Sequence, residues 1–249
     1  MGKLDNKIAV ITGAGKGIGK AIAKRFLQDG VAGLAILEMD AELGEKTAKE
    51  FDPSGEKVIS VQCDVSKQEI VHEAFKKVYE KFGKVDILVN NAGITRDAMF
   101  HKMSIEQAKL VMDVHFYGTF YCCQEVVGAM REQGYGKIVN ISSVSALGNI
   151  GQSNYTAAKS AIEGLTRTLA MECGRKNITV NCIAPGMIDT DILKTIPEDI
   201  LKAKINSVPM QRLGDPSEVA SVASFLASDD SSWVTGNVIL CCGGQKIKA

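Results

Sequence analysis

A tyrosine and a lysine one helical turn apart, preceded by a serine, are the side chains in this chain best equipped for chemistry. Tyr155 and Lys159 are four positions apart, so on a helix they share one face, with about 6 Å between their Cβ atoms. An ammonium there favours the phenolate, and we expect it to lower the tyrosine pKa from about 10. Ser142 ends a strand-like stretch from which its hydroxyl can meet a substrate carbonyl. The three residues together predict carbonyl-reducing chemistry.

The segments that must position these residues alternate between strand-like and helix-like patterns. Continuous apolar strands separated by crossover helices indicate a parallel sheet that is covered on both faces. The sequence therefore predicts an α/β fold with a single doubly wound parallel (Rossmann) sheet. We expect one domain over residues 1–249, with a substrate lid at about residues 187–209. The predicted strands are Ile8–Thr12, Leu34–Leu37, Lys57–Gln62, Val85–Val89, Lys137–Ser142, Ile178–Ile183 and Val238–Cys241. The predicted helices of the first half are Gly17–Gly30, Ala41–Phe51 and Lys67–Phe82.

A glycine-rich turn lies between the first predicted strand and the first predicted helix. Without Cβ atoms the backbone can turn tightly and approach a pyrophosphate, whose charge then meets the helix N-terminus. This position between a strand and a helix predicts dinucleotide binding. The turn consists of Gly13, Gly15, Lys16, Gly17, Ile18 and Gly19.

The choice between the two nicotinamide cofactors depends on Glu38, which ends the second predicted strand nineteen positions after Gly19. A carboxylate there accepts hydrogen bonds from the ribose hydroxyls and repels a 2′-phosphate, so it favours NAD(H). Lys16 argues for NADP(H), because a basic side chain within the turn can hold that phosphate. We give the direct repulsion by Glu38 more weight and predict NAD(H), with NADP(H) as the alternative.

Two further strand ends carry candidate cofactor contacts. Asp64 and Val65 follow the third predicted strand and can seat the adenine. Asn90, Ala92 and Gly93 follow the fourth and offer a turn of small residues. Open α/β sheets bind ligands at the carboxyl ends of their strands, where all five residues are predicted to lie.

Composition excludes several function classes. The 29 basic residues balance the 29 acidic ones, so there is no bulk attraction to nucleic acid or to an anionic membrane. The sequence has no apolar leader and no apolar run of about 18 residues, and we expect a cytoplasmic protein. Its cysteines form no Cys-x-x-Cys pair, which favours buried thiols in a reducing compartment. The three histidines lack metal-ligand spacing, so no metal site is predicted.

In this order the motifs resemble those of the short-chain dehydrogenase/reductase family over essentially the whole chain. The resemblance implies a ketone–alcohol oxidoreductase in which Tyr155 is the general acid–base and Ser142 polarises the carbonyl. It also implies that Lys159 binds the nicotinamide ribose while lowering the tyrosine pKa. The matching marks are Thr12-Gly13-x-x-x-Gly17-x-Gly19, Asp64, Asn90-Asn91-Ala92-Gly93, Ser142, Tyr155-x-x-x-Lys159 and Pro185-Gly186. The residues that would hold the nicotinamide carboxamide are Pro185, Gly186, Ile188 and Thr190.

The catalytic serine has an alternative next to it. Twelve residues separate Ser142 from Tyr155, which is the family's usual interval and favours Ser142. Because side chains of a strand alternate between faces, Ser143 should then point elsewhere. The swapped assignment remains the alternative.

His115 stands where the family usually has asparagine, in the central helix. The asparagine there makes a kink whose main-chain carbonyl holds a water in a proton relay to the lysine. The carbonyl of His115 can do the same, and we favour this structural interpretation. The alternative is that the imidazole, which titrates near pH 6.5, joins the relay itself.

Local stretches of the sequence are similar to 3-oxoacyl-acyl carrier protein reductases and acetoacetyl-CoA reductases. This similarity favours 3-oxoacyl thioester reduction, with the substrate carried on acyl carrier protein or CoA and with Gln152 in the pocket beside Ser142 and Tyr155. The resemblance to the short-chain dehydrogenase/reductase family also makes a homotetramer the expected assembly. The stretches are Ala92–Asp97, Lys102–Ser104, Gly148–Tyr155 and Arg212–Gly214.

Two other functions stay open at this point. Glu38 suits an NAD-linked dehydrogenase of hydroxysteroids or other secondary alcohols, which is the second candidate. A protein that binds NAD without turnover is the third, and the complete set of Ser142, Tyr155 and Lys159 argues against it.

Overall fold

The computed structural model describes residues 2–191 and 198–245. Within them the strands are β1 (Ile8–Thr12), β2 (Gly33–Glu38), β3 (Val58–Gln62), β4 (Ile87–Asn90), β5 (Gly136–Ile141), β6 (Ile178–Pro185) and β7 (Val238–Cys241). They form one sheet in the order β3-β2-β1-β4-β5-β6-β7, and every neighbouring pair is parallel. The predicted doubly wound parallel sheet is confirmed.

The helices cover both faces of this sheet. They are α1 (Gly17–Gln28), α2 (Ala41–Phe51), α3 (Gln68–Phe82), α4 (Ile105–Met112), α5 (Gly118–Gln133), α6 (Ser153–Cys173), α7 (Glu198–Asn206) and α8 (Pro216–Ala227). None of the helices in the described ranges is long and apolar enough to cross a bilayer.

Two hydrophobic cores, one on each face of the sheet, explain why the central strands are apolar throughout. In β1, Ala9 and Ile11 belong to the core formed with α1 and α8, whereas Val10 belongs to the core formed with α3 and α5. Phe26 and Phe75 are fully buried, one in each core. Burying a side chain of this size contributes about 2–3 kcal/mol.

The strand order reverses between β1 and β4, which are neighbours although β2 and β3 lie on the other side of β1. Such a reversal opens a crevice at the carboxyl ends of the two strands, where open α/β sheets bind ligands. The glycine turn follows β1, and Asn90 ends β4. The crevice therefore lies beside the predicted glycine turn and the end of β4.

Five of the strands, β2 to β6, have bounds that differ by one or two residues from the predicted ones. β4 begins at Ile87 rather than at Val85, and β5 ends at Ile141, one residue before Ser142. β6 continues to Pro185. Part of the predicted lid at 187–209 is helix α7. Residues 192–197 of the predicted lid lie outside the described residues.

Candidate active site

The glycine turn after β1 leads directly into helix α1. Gly13 has a φ of +63°, and a Cβ there would lie 2.9 Å from the Cα of Ala92, so the position requires glycine. Helix α1 starts at Gly17, and the exposed side chain of Lys16 does not cap it. The first N–H groups of a helix have no partners within that helix, so they are available to an anion. The turn, with Gly15, Ile18 and Gly19, fits the pyrophosphate of a dinucleotide.

Side chains that were not among the predicted cofactor contacts hold this turn in place. The Thr12 hydroxyl accepts hydrogen bonds from the main-chain N–H groups of Asn91 and Ala92, both at 3.0 Å. The Asn91 amide donates to the carbonyls of Thr12 at 2.9 Å and Gly13 at 3.0 Å. The buried Thr47 of α2 donates to the carbonyl of Gly15 at 2.9 Å. The doubled asparagine was the only sequence signal that pointed to Asn91.

The structure corrects the prediction for Asn90. Its side chain is buried in the core, where the amide donates to Asn140 Oδ1 at 2.9 Å and to Cys123 Sγ at 3.4 Å. Asn90 is the last residue of β4, and side chains alternate along a strand, so it is Asn91 that faces the glycine turn. The Asn90 side chain is therefore not directed at a cofactor in the crevice.

Glu38 ends β2 with its carboxylate against the glycine turn. Its Oε2 accepts a hydrogen bond from Gly15 N at 3.0 Å, and its Oε1 accepts one from Met39 N at 3.0 Å. The local charge is therefore negative where the adenosine ribose of a dinucleotide lies in this fold.

Asp64 and Val65 follow β3, but their side chains are largely engaged elsewhere. Asp64 Oδ1 accepts hydrogen bonds from the main-chain N–H and the hydroxyl of Ser66, at 3.0 and 2.7 Å. Val65 is buried against Gly118, where a Cβ would lie 2.8 Å from its Cγ2. Main-chain groups and the second carboxylate oxygen are what this segment can offer to an adenine.

The segment after β6 closes another side of the crevice. Pro185 ends the strand, and Gly186 follows it. Ile188 is buried, and its side chain belongs to the core rather than to the crevice. Thr190 faces the glycine turn, because a Cβ at Gly17 would lie 3.6 Å from its Cγ2. Among the residues predicted to hold the nicotinamide carboxamide, Thr190 lies next to the glycine turn.

Lys159 lies on α6 one turn after Tyr155, as the spacing predicted. The lysine is buried, and its Nζ lies 5.5 Å from the centroid of the Tyr155 ring. Nζ donates a hydrogen bond to the carbonyl of Ile141 at 2.7 Å. Burial lowers the pKa of Lys159 to about 8, so the ammonium is still mostly charged at neutral pH.

The predicted lowering of the Tyr155 pKa was wrong. Burial raises the pKa of Tyr155 above its ordinary value, because the phenolate loses its hydration. A hydrogen bond with Ser143 opposes this rise, and the charge of Asp97 adds to it. Desolvation is the largest of these effects. Tyr155 is protonated at neutral pH and can give its proton away.

Ser142 faces the body of α6 and not its catalytic end. Its hydroxyl is buried and donates to Glu163 Oε1 at 2.9 Å, with the carbonyl of Lys159 at 3.3 Å. Asn140, two residues earlier and therefore on the same face, likewise donates to the Thr166 hydroxyl of α6 at 2.9 Å. The predicted contact of Ser142 with a substrate carbonyl is therefore not supported by its position.

Ser143 is the serine whose hydroxyl interacts with Tyr155, and this interaction offsets part of the rise in the tyrosine pKa. The two serines face in different directions, as predicted, but Ser143 and not Ser142 is the one that faces Tyr155. The interval from Ser142 to Tyr155 crosses the irregular segment 144–152. Counting residues across it therefore does not decide which of the two serine hydroxyls lies next to Tyr155. Ser143 therefore replaces Ser142 as the candidate that polarises the carbonyl.

His115 lies within a π-helical turn, Asp113–Tyr117, between α4 and α5, at the position where the family resemblance implies a kink. Its Nε2 lies 2.8 Å from the carbonyl oxygen and 3.1 Å from the nitrogen of Ile94. The ring meets Tyr155 edge to face, with centroids 5.1 Å apart. Burial and, next, the charge of Lys159 lower the pKa of His115 to about 3. The imidazole is therefore neutral throughout the physiological range.

Gln152 precedes α6 and joins the two loops that flank the crevice. Its Nε2 donates to Asp97 Oδ2 at 2.9 Å, and its Oε1 accepts from the Asn149 amide at 2.7 Å. Both ends of the amide are thus occupied by protein groups. Gln152 therefore ties the segment after β4 to the segment before α6.

Comparison with known proteins agrees with this geometry. The sequence model of a family described as enoyl-(acyl carrier protein) reductase matches residues 13–246. The chain is 42% identical to a 3-oxoacyl-acyl-carrier-protein reductase of Thermotoga maritima, over 98% of this chain and 100% of that protein. It is 41% identical to the BbsD subunit of a hydroxy(phenyl)methylsuccinyl-CoA dehydrogenase of Thauera aromatica, over 99% of both. The chain belongs to the short-chain dehydrogenase/reductase family, and it is an oxidoreductase.

Replacing each serine separately tests the corrected assignment. Ser143→Ala should lower kcat by about 10²–10³-fold, the usual cost of removing one donor to a developing oxyanion. Ser142→Ala should lower kcat far less, because that hydroxyl bonds Glu163. Steady-state kinetics on both variants, with thermal melts to confirm folding, make the comparison. A larger kcat loss in Ser142→Ala would return the role to Ser142.

Proposed function

We propose that this enzyme reduces 3-oxoacyl thioesters to 3-hydroxyacyl thioesters with a nicotinamide cofactor. The observation that carries the proposal is the position of Tyr155 on α6, with the buried Lys159 one turn later and its Nζ 5.5 Å from the tyrosine ring centroid. Ser143 interacts with the same tyrosine. The substrate class is supported by the relatives, since several of them are named 3-oxoacyl-acyl-carrier-protein reductases.

The residues supply a proton and an oxyanion contact for this reaction. A bound nicotinamide supplies the hydride to the carbonyl carbon. Tyr155 transfers its phenolic proton to the carbonyl oxygen as that oxygen gains negative charge. Ser143 donates a hydrogen bond to the same oxygen. The Lys159 ammonium stabilises the phenolate that remains.

The crevice would hold the cofactor along its length. The glycine turn from Gly13 to Gly19 would bind the pyrophosphate, and Glu38 the adenosine ribose hydroxyls. We propose NAD(H) over NADP(H), because the Glu38 carboxylate is fixed on Gly15 N and opposes a 2′-phosphate there. The exposed Lys16 is the remaining argument for NADP(H). Lys159 would bind the nicotinamide ribose.

Other contacts are proposed at the remaining strand ends. The main chain of Ala92 and Gly93 would face the nicotinamide half, and Asp64 the adenine. These assignments rest on the position of each residue at the carboxyl edge of the sheet.

Oxidation of a secondary alcohol is the second candidate, and Glu38 favours it as an NAD-directing residue. The Thauera aromatica relative is also named a dehydrogenase. Oxidation needs the Tyr155 phenolate as a base, however, and the raised pKa of Tyr155 works against that form. This contrast is why reduction ranks first and hydroxysteroid or other alcohol oxidation second. A non-catalytic NAD-binding sensor ranks last, because it would need no proton donor beside the crevice.

The acyl group would arrive on acyl carrier protein or CoA. Arg96 and Lys102 are exposed on the loop after β4 and are candidates for contact with the phosphate of such a carrier. All seven cysteines are free, which suits a reducing, cytoplasmic setting.

A homotetramer is proposed from the outer face of α5 and the turn before it. Cys122, Cys123 and Val126 pack towards the sheet, so they are not available to another subunit. Aromatic side chains of the same segment remain at least partly exposed, and the rings of Tyr117 and Tyr121 stack with centroids 6.0 Å apart. Partly exposed aromatic rings of this kind are enriched at subunit contacts.

A substrate panel tests the proposed function. NADH oxidation should be fast with an acetoacetyl thioester and slow with a steroid ketone or with no ketone. Tyr155→Phe, the matched control, should lose about 10²–10⁴-fold in kcat while it still binds NADH. A robust steroid signal without a thioester signal would reverse the ranking, and tight NADH binding without any turnover would favour the sensor.

Cofactor preference is tested by the kcat/KM ratio for NADH against NADPH. The wild-type enzyme should prefer NADH, and Glu38→Ala should reduce that preference by at least about tenfold, because removing about 1.4 kcal/mol of repulsion is sufficient. Asp40→Ala is the control, since that nearby carboxylate caps α2 through Leu43 N at 3.1 Å. A wild-type preference for NADPH would contradict the role of Glu38.

A further inference from the structure

Gly93 has no side chain, and this leaves room for the imidazole ring of His115. Its φ is not among the left-handed values found at other glycines, so the backbone does not require glycine there. A Cβ on Gly93 would lie 2.3 Å from Cε1, 3.0 Å from Nδ1 and 3.3 Å from Nε2 of His115. The three nearest atoms thus all belong to the imidazole. Among the described residues, it is His115 that excludes a larger residue at position 93.

The imidazole joins two segments that carry different parts of the site. Its Nε2 contacts both main-chain groups of Ile94, in the turn that follows β4. Its edge contacts the ring of Tyr155 on α6, with an interplanar angle of 88°. A T-shaped contact of this kind restricts both rings. Residues 93–94 and the catalytic tyrosine are therefore held at a fixed distance through one side chain.

The same ring is poorly suited to carrying protons. Burial and the ammonium of Lys159, from α6, favour the neutral form, while the hydrogen bond to Ile94 only partly opposes them. The other group from α6 that faces the ring is the protonated Tyr155, and Asp97 acts on that tyrosine. Nδ1 is buried without a hydrogen-bond partner in the described protein. Nothing in these contacts passes a proton from the ring to Tyr155.

We propose that His115 is a positioning residue that braces Tyr155 against the turn after β4, and that Gly93 is the complementary position that admits its ring. The proposal rests on the proposed function, in which Tyr155 is the proton donor. It answers the question raised by a histidine where the family usually has asparagine, because asparagine has no ring to reach Tyr155.

A double-mutant cycle tests the complementarity of positions 93 and 115. Gly93→Ala should lower kcat and the melting temperature strongly, because its methyl group collides with the imidazole. In the His115→Asn background, which removes the ring, the same Gly93→Ala change should cost about five- to tenfold less in kcat. It should also cost less in melting temperature. Equal costs of Gly93→Ala in both backgrounds would overturn the proposal.

The bracing of Tyr155 is tested separately by the size and shape of the side chain at position 115. His115→Asn should lower kcat while the NADH dissociation constant and the pH dependence of kcat keep their form. His115→Phe, which restores a ring edge without the bond to Ile94, should recover part of the lost kcat. If kcat of His115→Phe is no higher than that of His115→Asn, the positioning role is contradicted. It is also contradicted if either substitution removes a limb of the pH dependence of kcat.

These outcomes are separable from those of the substrate panel. If wild-type enzyme turns over a ketone other than a 3-oxoacyl thioester, the proposed function fails, and the cycle is measured with that ketone. The melting-temperature coupling between positions 93 and 115 needs no substrate. Its absence would overturn the proposal even where the thioester activity is found.

Discussion

The burial of one cation beside one phenol is the constraint on which the rest of the site depends. Lys159 is buried beneath Tyr155, and its ammonium is held by the carbonyl of Ile141. Desolvation disfavours the charged form of each group, so it lowers the pKa of the lysine and raises that of the tyrosine. At neutral pH the pair is therefore an ammonium and a neutral phenol. That is the state in which a proton can be given to a substrate.

A buried polar chain fixes the strands and the helix that carry this pair. The Asn90 amide of β4 donates to Asn140 of β5, and the Asn140 amide donates to Thr166 of α6. Hydrogen bonds in a low-dielectric interior are strong when satisfied and costly when broken. The cofactor side of the crevice and the catalytic helix are thus connected through the core as well as through the buried His115.

Much of the fold and part of the site could be predicted from sequence, because they depend on local patterns. Apolar runs separated by helices predicted the parallel sheet, and glycines after a strand predicted the turn at α1. The errors occurred at strand ends, where one position decides which face a side chain meets. Ser142 and Asn90 were each chosen over the neighbour that faces the crevice, Ser143 and Asn91. The motif spacing located each pair of neighbours correctly, but the sequence did not show which residue of the pair faces the crevice.

Other features were beyond sequence reasoning for a different physical reason. The Tyr155 pKa depends on how completely the phenol is buried, and the i,i+4 spacing to Lys159 gives no measure of burial. The fit between Gly93 and His115 joins residues 22 positions apart, which meet only because a π-helical turn places the ring against the turn after β4.

The most direct test of the buried pair is the pH dependence of kcat measured in both directions with one ketone and its alcohol. Reduction should be level near neutral pH and should fall above about pH 8, where Lys159 loses its proton. Oxidation should rise with pH, since it needs the Tyr155 phenolate as a base. A reduction rate that instead increases between pH 7 and pH 9 would show that the phenolate is the working form, and would contradict the account.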